Sequence, residues 1–532
     1  MYSRLMIPRR VINTADVAND GASRKAWSLS PSPIHLLPDE VLAHIFHLCL
    51  TRNRESNESQ ISPRLFTHIC KRWAAIALAN SAMWCNIAMT FPLTRAQLLE
   101  TNIRLLRSKS HPIDIQLDFR DPQWDWEEED THQFGFLEMT MVIRTLLPHV
   151  SRWRKLAVLT DTWLPIFTLL VTTSCSVESA PMLSSLSLSR CNAYFAGKGE
   201  VFKPESLRPP LKLFGGIPLT QLRKVSLVGV HIDWSRSHLV NLHQLELKYH
   251  ASDVMPSLDE FLDILSACPH LTKLSLIGSG PRFPEYENQP QSPRLDSPRG
   301  TPSPIIHPVI TLERLTCFAI GFVDVTYAVD LLSLFRLPAL REMEIEDVSL
   351  TLDPYEEGRN ASAVLKFLTS NRMRSIAAAP GSSSPGVPLD QITSLELRGL
   401  CAGRDDFASF LGHMISLERL VLGDTNGEAV LSLNSRPHGP EEAVCPDLTA
   451  LHCRDVDSKN VVEAVVGRNG TGGARALKCL ALEYSAMEVD LLPGDSIAAL
   501  REAEVGRFAL FANGRLCQEF LVAENASSIG GR

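Results

Sequence analysis

Residues 268–277 read CPHLTKLSLI and contain the spacing from which the fold is predicted below. Leu271, Leu274 and Leu276 follow the spacing apolar-x-x-apolar-x-apolar. The interval of two between Leu274 and Leu276 places both side chains on one face of a strand. The Cys268-Pro269 pair ahead of them is typical of a turn that leads into a strand. This segment therefore predicts a short strand with one apolar face.

The same spacing recurs along most of the chain. Ten further units share it, and their first apolar residues are Trp153, Leu183, Leu222, Leu242, Leu312, Leu340, Ile392, Leu417, Leu448 and Leu477. The eleven units make ten steps over the 324 residues from Trp153 to Leu477, a mean of 32.4 residues per step. Recurrence at this length predicts a repeat architecture, in which each unit buries its apolar face against its neighbours.

Helix-like segments lie between these units. Leu258–Cys268, Ala328–Phe335 and Phe407–Met414 each show apolar residues at helical spacing. Before the repeats, Pro112–Asp118 alternates apolar and polar residues and is predicted to be the first strand. The chain is therefore expected to be α/β, either as a repeat or as one large α/β domain whose strands share the pattern.

A different pattern occupies residues 34–84. Leu36-Leu37-Pro38-Asp39-Glu40 predicts a helix start, since proline is tolerated in a first turn and acidic side chains favour the positive helix end. Apolar residues at helical spacing follow at Val41, Leu42, Ile45 and Phe46. A second helix is predicted over Arg64–Leu78, with its apolar face formed by Leu65, Ile69, Trp73 and Ile76. Without further context this is a generic helical hairpin.

The order of these residues resembles the F-box. The matching blocks are Leu37-Pro38-Asp39-Glu40, Ile45-Phe46, Cys70-Lys71-Arg72-Trp73 and Trp84. The polar insert Thr51–Ser62 is longer than the usual loop of that family. The resemblance implies binding to a Skp-type adaptor, and through it to the cullin scaffold of a ubiquitin ligase. The adaptor-facing positions of the family correspond to Leu36, Leu37, Pro38, Ile45, Phe46 and Trp73, some of which must pack the helices' own core.

The strand–turn–helix units resemble leucine-rich repeats. Cys191-Asn192 follows Leu188 where that family has a cysteine or asparagine, whereas most other units lack it. Together with the N-terminal block, the chain resembles the large F-box families of mushroom-forming fungi. The expected fold is an α/β chain with a short, all-helical F-box followed by an irregular leucine-rich repeat solenoid of short parallel strands and outer helices.

The expected domain organisation follows from these patterns. It consists of a disordered tail (1–30), the F-box (31–90), a connecting segment (91–150), the repeat domain (151–520) with a disordered insert (278–308), and a disordered tail (521–532). The insert contains eight prolines and almost no apolar residue before Ile305, so it cannot bury enough surface to fold. Ser292, Ser297, Thr301 and Ser303 in it each precede a proline, as substrates of proline-directed kinases do.

Composition and motifs exclude several function classes. A net charge of −8 gives no reason to propose nucleic acid as the main ligand, and no apolar run approaches membrane-spanning length. Twelve cysteines without any Cys-x-x-Cys pair indicate free thiols in the cytosol or nucleus. His44 and His47 have no further ligand nearby, and the glycine-rich segment 467–473 lacks the Lys-Ser/Thr of a phosphate cradle. We therefore predict no enzyme activity, no metal and no cofactor.

The strand residues that flank the apolar positions are predicted to face a partner. They are basic in the first half (Lys155, Lys224, Lys273, Arg314) and acidic in the middle (Glu342, Glu344, Glu396). This pattern indicates a protein substrate with complementary charge blocks. Two functions remain open, the substrate-recognition subunit of a ubiquitin ligase, and a repeat scaffold whose F-box-like segment does not engage the ligase.

Overall fold

The structure is a computed structural model that describes residues 33–52, 62–125, 131–191, 201–284, 308–349, 360–377, 386–435, 443–469, 474–486 and 489–521. Several sequence predictions fall outside these ranges, namely the tail 1–30, nearly all of the Thr51–Ser62 insert, Asn192, the four Ser/Thr-Pro sites of the proline-rich insert, and the end of the chain from residue 522. Within the described ranges, no helix combines the length and the apolar character that a membrane crossing requires.

The first described segment, up to Trp84, contains three helices. They are α1 (Asp39–Arg52), α2 (Arg64–Thr67) and α3 (Lys71–Ala79), flanked by short 3-10 turns at Pro33–Leu36 and Ser81–Trp84. Helix α1 begins directly after Pro38, with Asp39 and Glu40 in its first turn, which confirms the predicted start. The prediction of one helix over Arg64–Leu78 is wrong. Cys70 has an extended backbone and its Sγ accepts a hydrogen bond from the Trp73 backbone N–H, so it caps α3 and separates it from α2.

These helices have a small core of their own. It consists of Leu42, Phe46, Leu50, Phe66, Ile76, Ala77, Met83 and Trp84. The rings of Phe46 and Phe66 stack with their centroids 4.3 Å apart, and the indole N–H of Trp84 donates to the Ala77 carbonyl at 2.8 Å. The aromatic side chains therefore hold the three helices together across the turns between them.

The described residues after Trp84 form seventeen strands. They are β1 (Asn86–Thr90), β2 (Ile113–Asp118), β3 (Trp153–Thr160), β4 (Ser185–Arg190), β5 (Lys224–Val228), β6 (Gln244–Lys248), β7 (Lys273–Ile277), β8 (Ile310–Thr311), β9 (Cys317–Phe322), β10 (Phe335–Arg336), β11 (Glu342–Asp347), β12 (Ser394–Arg398), β13 (Arg419–Gly423), β14 (Ala450–Arg454), β15 (Cys479–Tyr484), β16 (Arg507–Ala512) and β17 (Arg515–Leu521). All except β8 and β10, which pair with each other, form one sheet in chain order. Neighbouring strands in this sheet run parallel, except for the last pair, β16 and β17, which is antiparallel.

Helices occupy most of the return connections. They are α4 (Arg95–Arg107), α5 (Phe136–Leu146), α6 (Trp163–Ser176), α7 (Leu258–Ser266), α8 (Val325–Ser333), α9 (Ser362–Ala377), α10 (Arg404–Gly412), α11 (Gly427–Leu431), α12 (Ser458–Asn469) and α13 (Gly494–Glu502). Parallel strands that are consecutive in sequence need such a return. Helices α8 to α13 each contact the next, as do α5 and α6. The described chain is thus a mixed α/β structure with a large, mostly parallel sheet, as the sequence predicted.

The predicted units coincide with strands, with one shift of frame. Leu274 and Leu276 of β7 are buried and pair with Phe318 and Ile320 of β9. The sixth unit is therefore Leu315/Phe318/Ile320, and the predicted frame Leu312/Leu315/Cys317 is wrong by three residues. The sequence favoured the wrong frame because Leu312 and Leu315 are both apolar. Both are also buried in the structure, so burial does not separate the two frames at these positions. The pairings of β9 with β7 and with β11 distinguish the two frames.

The sheet also extends beyond the predicted units. Strand β2 was predicted to be the first, but β1 precedes it and pairs with it in parallel. Trp84, Ile87 and Met89 carry the same spacing as the predicted units, so the signal for β1 was present in the sequence. At the other end, Val505, Phe508 and Leu510 repeat the spacing at β16. The predicted strand Pro112–Asp118 and the helix within Leu258–Cys268 are confirmed as β2 and α7.

A left-handed backbone conformation recurs where strands end. The residue directly after a strand has φ between 51° and 94° at Gly229, Tyr249, Gly278, Gly399, Asp424 and Asp455. Glycine adopts this conformation without strain, and aspartate tolerates it better than most residues. At Gly399 a Cβ atom would also lie 2.5 Å from the Asp347 carbonyl oxygen of the neighbouring unit. Gly399 therefore allows the closest approach between consecutive turns.

We expect Gly399→Ala to lower the free energy of unfolding by about 2 kcal/mol, because the new Cβ is strained at positive φ and collides with a backbone oxygen. Gly494→Ala is the matched control, since a Cβ at Gly494 would meet no atom within 4 Å. Urea unfolding followed by circular dichroism measures both. Equal midpoints for the two variants would contradict this account of the turn.

Candidate functional site

The N-terminal helices expose large apolar side chains although they have a core. Leu36 is 74% exposed, and Leu65 and Ile69 are each more than half exposed. The full set, called here the N-terminal apolar set, is Leu36, Val41, Leu48, Leu65, Ile69 and Leu78. Exposed apolar residues that are concentrated in so short a segment are typical of a protein interface.

The six residues predicted to face an adaptor are divided by the structure. Leu36 and Pro38 are exposed, whereas Leu37, Ile45 and Trp73 are partly buried. Phe46 is 1% exposed and lies in the core against Phe66. Leu65 and Ile69 were predicted to share one helix face with Trp73 and Ile76, but both are more than half exposed whereas Ile76 is buried. Their sequence signal was misleading because Cys70 interrupts the helix whose face they were assigned to.

Arg72 connects the beginning of α1 to α3. Its guanidinium donates hydrogen bonds to the Asp39 carboxylate at 2.8 Å and to the Leu37 carbonyl oxygen at 2.5 Å. A planar guanidinium can donate to two acceptors at once in a fixed geometry. A lysine ammonium lacks this fixed arrangement of donors. Arg72 thus positions the Leu36–Pro38 segment, where the exposed Leu36 side chain lies.

The second candidate surface is the face of the sheet that points away from the core, called here the open face. Its first row includes Lys155, Lys224, Lys273, Cys317, Glu342 and Arg419. Its second row includes Ser226, Glu246, Ser275, Ala319, Glu344, Glu396 and His452. Its third row includes Lys248, Ile277, Gly321, Glu346, Arg398, Arg454 and Glu483. Adjacent strands are about 4.8 Å apart, so residues of one row are immediate neighbours.

The structure brings six of the seven predicted partner-facing residues to this face. Lys155, Lys224, Lys273 and Glu342 lie in the first row, and Glu344 and Glu396 lie in the second. Arg314 does not, because it lies in the turn before β9. Once the frame of that unit is corrected, Cys317 and Ala319 occupy the open face there.

Ion pairs cross the open face in both halves. In the first half, Lys273 Nζ lies 2.5 Å from a Glu246 carboxylate oxygen, which sequence reasoning missed. In the second half, the guanidinium groups of Arg398 and Arg454 lie 2.6 and 3.1 Å from the same oxygen of Glu396. Arg454 also reaches Glu483 at 3.4 Å. The open face therefore carries paired charges of both signs rather than one basic and one acidic block.

Glu346 is the exception to this pairing. Only 6% of its surface is exposed, and it makes no hydrogen bond or ion pair with any residue that the structure describes. Burial raises the pKa of Glu346 to about 7, with Arg398 opposing the rise and Glu344 adding to it. Glu346 thus remains a carboxylate at neutral pH only at a cost in folding free energy.

The described residues provide little for catalysis or metal binding. They contain no group of three or more His, Cys, Asp or Glu side chains placed to hold a metal ion. Cys317 lies on the open face, but burial and the neighbouring Glu342 raise its pKa to about 11. A thiol with so high a pKa is a poor nucleophile at neutral pH.

Comparison with known proteins identifies no relative, since no family model and no curated protein matches the chain. The N-terminal apolar set and the open face are therefore the two features of the molecule that bear on its function.

We expect Glu346→Gln to change how stability depends on pH. The pKa of Glu346 is higher in the folded chain than its ordinary value of 4.5, so its contribution to stability decreases as the pH rises from about 4.5 to 7. The variant should match the natural protein near pH 5 and unfold at a higher temperature near pH 8. Thermal unfolding at both pH values measures this effect, with the exposed Glu342→Gln as control. If the unfolding temperatures of the variant and the natural protein differed by the same amount at both pH values, the raised pKa of Glu346 would be contradicted.

Proposed function

We propose that the chain is a non-catalytic substrate-recognition subunit of a Skp–cullin–F-box type ubiquitin ligase. In this proposal residues 33–84 are the F-box that docks a Skp-type adaptor. The sheet is an irregular leucine-rich repeat solenoid whose open face binds a protein substrate. The observation that carries the proposal is the exposure of the N-terminal apolar set. These side chains remain exposed although the helices that carry them already have a core. The helices lie directly ahead of a sheet that is built from repeated units.

Burial of the apolar set would drive docking. A leucine or isoleucine side chain removed from water contributes about 1.5–3 kcal/mol before the costs of association are subtracted. Leu36, Leu65 and Ile69 are exposed enough to be covered by a partner, and Arg72 holds the segment that carries Leu36. A few such side chains supply the free energy that a specific interface needs.

The order of the sheet supports the repeat assignment. The strands of the large sheet are arranged in chain order, with only β8 and β10 outside it, and most consecutive helices contact each other, as expected where units stack in one dimension. The open face of such a stack is long and offers side chains at regular intervals, which suits a protein ligand.

All twelve cysteines are free, which favours a reducing compartment, the cytosol or the nucleus.

One observation favours a second candidate, a repeat scaffold whose F-box-like segment does not engage the ligase. Phe46 matches an adaptor-facing position of the F-box, yet it is buried against Phe66 in the helices' own core. Without Phe46 the docking surface depends on Leu36, Leu65 and Ile69. Adaptor binding therefore separates the two candidates.

We expect the full chain to co-purify with a co-expressed Skp-type adaptor, and Leu36→Asp combined with Ile69→Asp to reduce the recovered adaptor at least about tenfold, because two charges would be buried unpaired. Both side chains lie outside the core, so the unfolding temperature should not change. Replacement of Phe46 is avoided, since it would disrupt the core.

The matched control is Leu137→Asp, which changes a leucine of α5 that is 69% exposed and outside the N-terminal apolar set. This variant should recover as much adaptor as the natural chain. Failure of the natural chain to co-purify would exclude the ligase assignment and leave the scaffold. Equal losses in the control and the double variant would show that the apolar set is not the docking surface.

A further inference from the structure

Three adjacent strands of the open face contain basic residues and no acidic residue. Lys155 of β3 and Lys224 of β5 lie in the first row, with Ser185 of β4 between them. Both lysines are exposed, unlike Glu346, and neither makes an ion pair with any residue that the structure describes. Strands β3, β4 and β5 contain no aspartate or glutamate. These strands therefore offer no carboxylate to either lysine.

The carboxylates on the two flanking strands are already bound by other cations. Asp114 of β2 lies beside Lys155 in the first row, but its carboxylate accepts two hydrogen bonds from the Arg154 guanidinium, at 2.7 and 2.9 Å. Glu246 of β6 pairs with Lys273 at 2.5 Å. Neither carboxylate is therefore left over for Lys155 or for the lysine of β5.

The charge that remains is positive. Arg223, directly before β5, donates to the backbone carbonyls of Thr220 and Leu222 rather than to a carboxylate. The charged groups of this surface, called here the basic patch, are the cations Arg154, Lys155, Arg223, Lys224 and Lys273 and the carboxylates of Asp114 and Glu246. Five positive and two negative charges leave a net charge of +3.

The carboxylates at the other end of β2 and β3 are too distant to change this balance. Asp118 lies beside Leu159, which is four residues beyond Lys155, and Asp161 is six residues beyond Lys155. At about 3.3 Å per residue these intervals correspond to roughly 13 and 20 Å along the strand. Asp118 is also paired with Arg120. The basic patch thus keeps its excess of positive charge.

Small side chains lie between the two unpaired lysines. Ser185 and Ser187 of β4 are partly exposed, and their hydroxyls make no hydrogen bond with any described residue. Ala157 and Ser226 occupy the same row as Ser187 on the neighbouring strands. A bound chain could therefore approach β4 closely and find hydroxyl groups there. The backbones that carry the lysines are two strand spacings apart, on the order of 10 Å.

We propose that the basic patch binds an acidic segment of a protein partner, with two carboxylates of that segment on Lys155 and Lys224. In a polyproline II chain, side chains three positions apart lie on the same side and about 9 Å apart, which matches the separation of the lysines. The inference rests on the proposed function in that it takes the open face as the substrate-binding surface. It names the substrate class as a protein segment with aspartate or glutamate residues three positions apart.

Other ligands fit the basic patch less well. A cationic segment would be repelled, and a neutral segment would gain nothing from the unpaired lysines. A single phosphate would have to draw both ammonium groups to one point, although their backbones are two strands apart. A nucleic acid carries many negative charges and would be opposed by the net charge of −8 of the whole chain. Separate carboxylates on a short segment avoid both difficulties.

The test uses the immobilised full chain and pools of dodecapeptides whose random positions exclude charged residues. Two fixed positions, three residues apart, carry two glutamates, two glutamines or two lysines, and a further pool carries a single phosphoserine. We expect the glutamate pool to be retained at least about fivefold over the glutamine pool, because two exposed ion pairs each contribute modestly. Lys155→Gln combined with Lys224→Gln should reduce retention of the glutamate pool to the glutamine level.

The matched control is Lys459→Gln combined with Lys478→Gln. Both lysines are exposed and lie outside the basic patch, and the control changes the net charge by the same amount. It should retain the glutamate pool as the natural chain does. All four replaced side chains are exposed, so we expect both double variants to unfold at the temperature of the natural chain.

Four results would each overturn the inference. They are equal retention of the glutamate and glutamine pools, a preference for the lysine or the phosphoserine pool, unchanged retention by the Lys155/Lys224 variant, and an equal loss in the control. Stronger retention of a twelve-nucleotide oligothymidylate than of the glutamate pool would also overturn it, in favour of nucleic acid.

The same preparations are assayed for adaptor, so that the two proposals can fail separately. Adaptor binding without a preference for the glutamate pool overturns only this inference. A preference for the glutamate pool without adaptor binding overturns only the ligase assignment.

Discussion

The sheet depends on one repeated contact, the packing of two inward side chains of each strand against the equivalent pair on the next. Leu245 and Leu247 of β6 meet Leu274 and Leu276 of β7 in this way. Because consecutive strands are also spatial neighbours, a unit can bury its pair only against the units before and after it. The inward residues accordingly form one continuous cluster from Ile87 to Phe520.

The same register decides what the open face can bind. Once the inward pair is buried, the alternating residues must point outward in rows about 4.8 Å apart. Charges from units far apart in sequence then become neighbours, as Glu396 and Arg454 do. Most of these charges are paired, which leaves a weakly charged surface. Glu346 is almost buried among them, and this burial raises its pKa to about 7.

Trp84 joins the proposed F-box to the proposed repeats. Its indole N–H donates to Ala77 in α3, and the guanidinium of Arg107 in α4 lies 4.5 Å from the centre of its ring. Trp84 also begins the apolar spacing that continues through Ile87 and Met89 into β1. If the proposal is correct, the adaptor-docking helices and the substrate-binding sheet are therefore connected through a buried aromatic side chain rather than through a free linker.

Features that arise from local periodicity could be predicted from the sequence alone. These include the start of α1 after Pro38, the helix α7, and the strands of ten of the eleven units, since inward and outward alternation is a property of neighbouring residues. The frame around Leu315 and the burial of Phe46 and Glu346 could not be predicted from spacing and became known from the fold. Each of these depends on a residue that is about 20 to 50 positions away in the sequence. Spacing along the chain cannot indicate such a partner, because burial and charge pairing are created by the stacking of units.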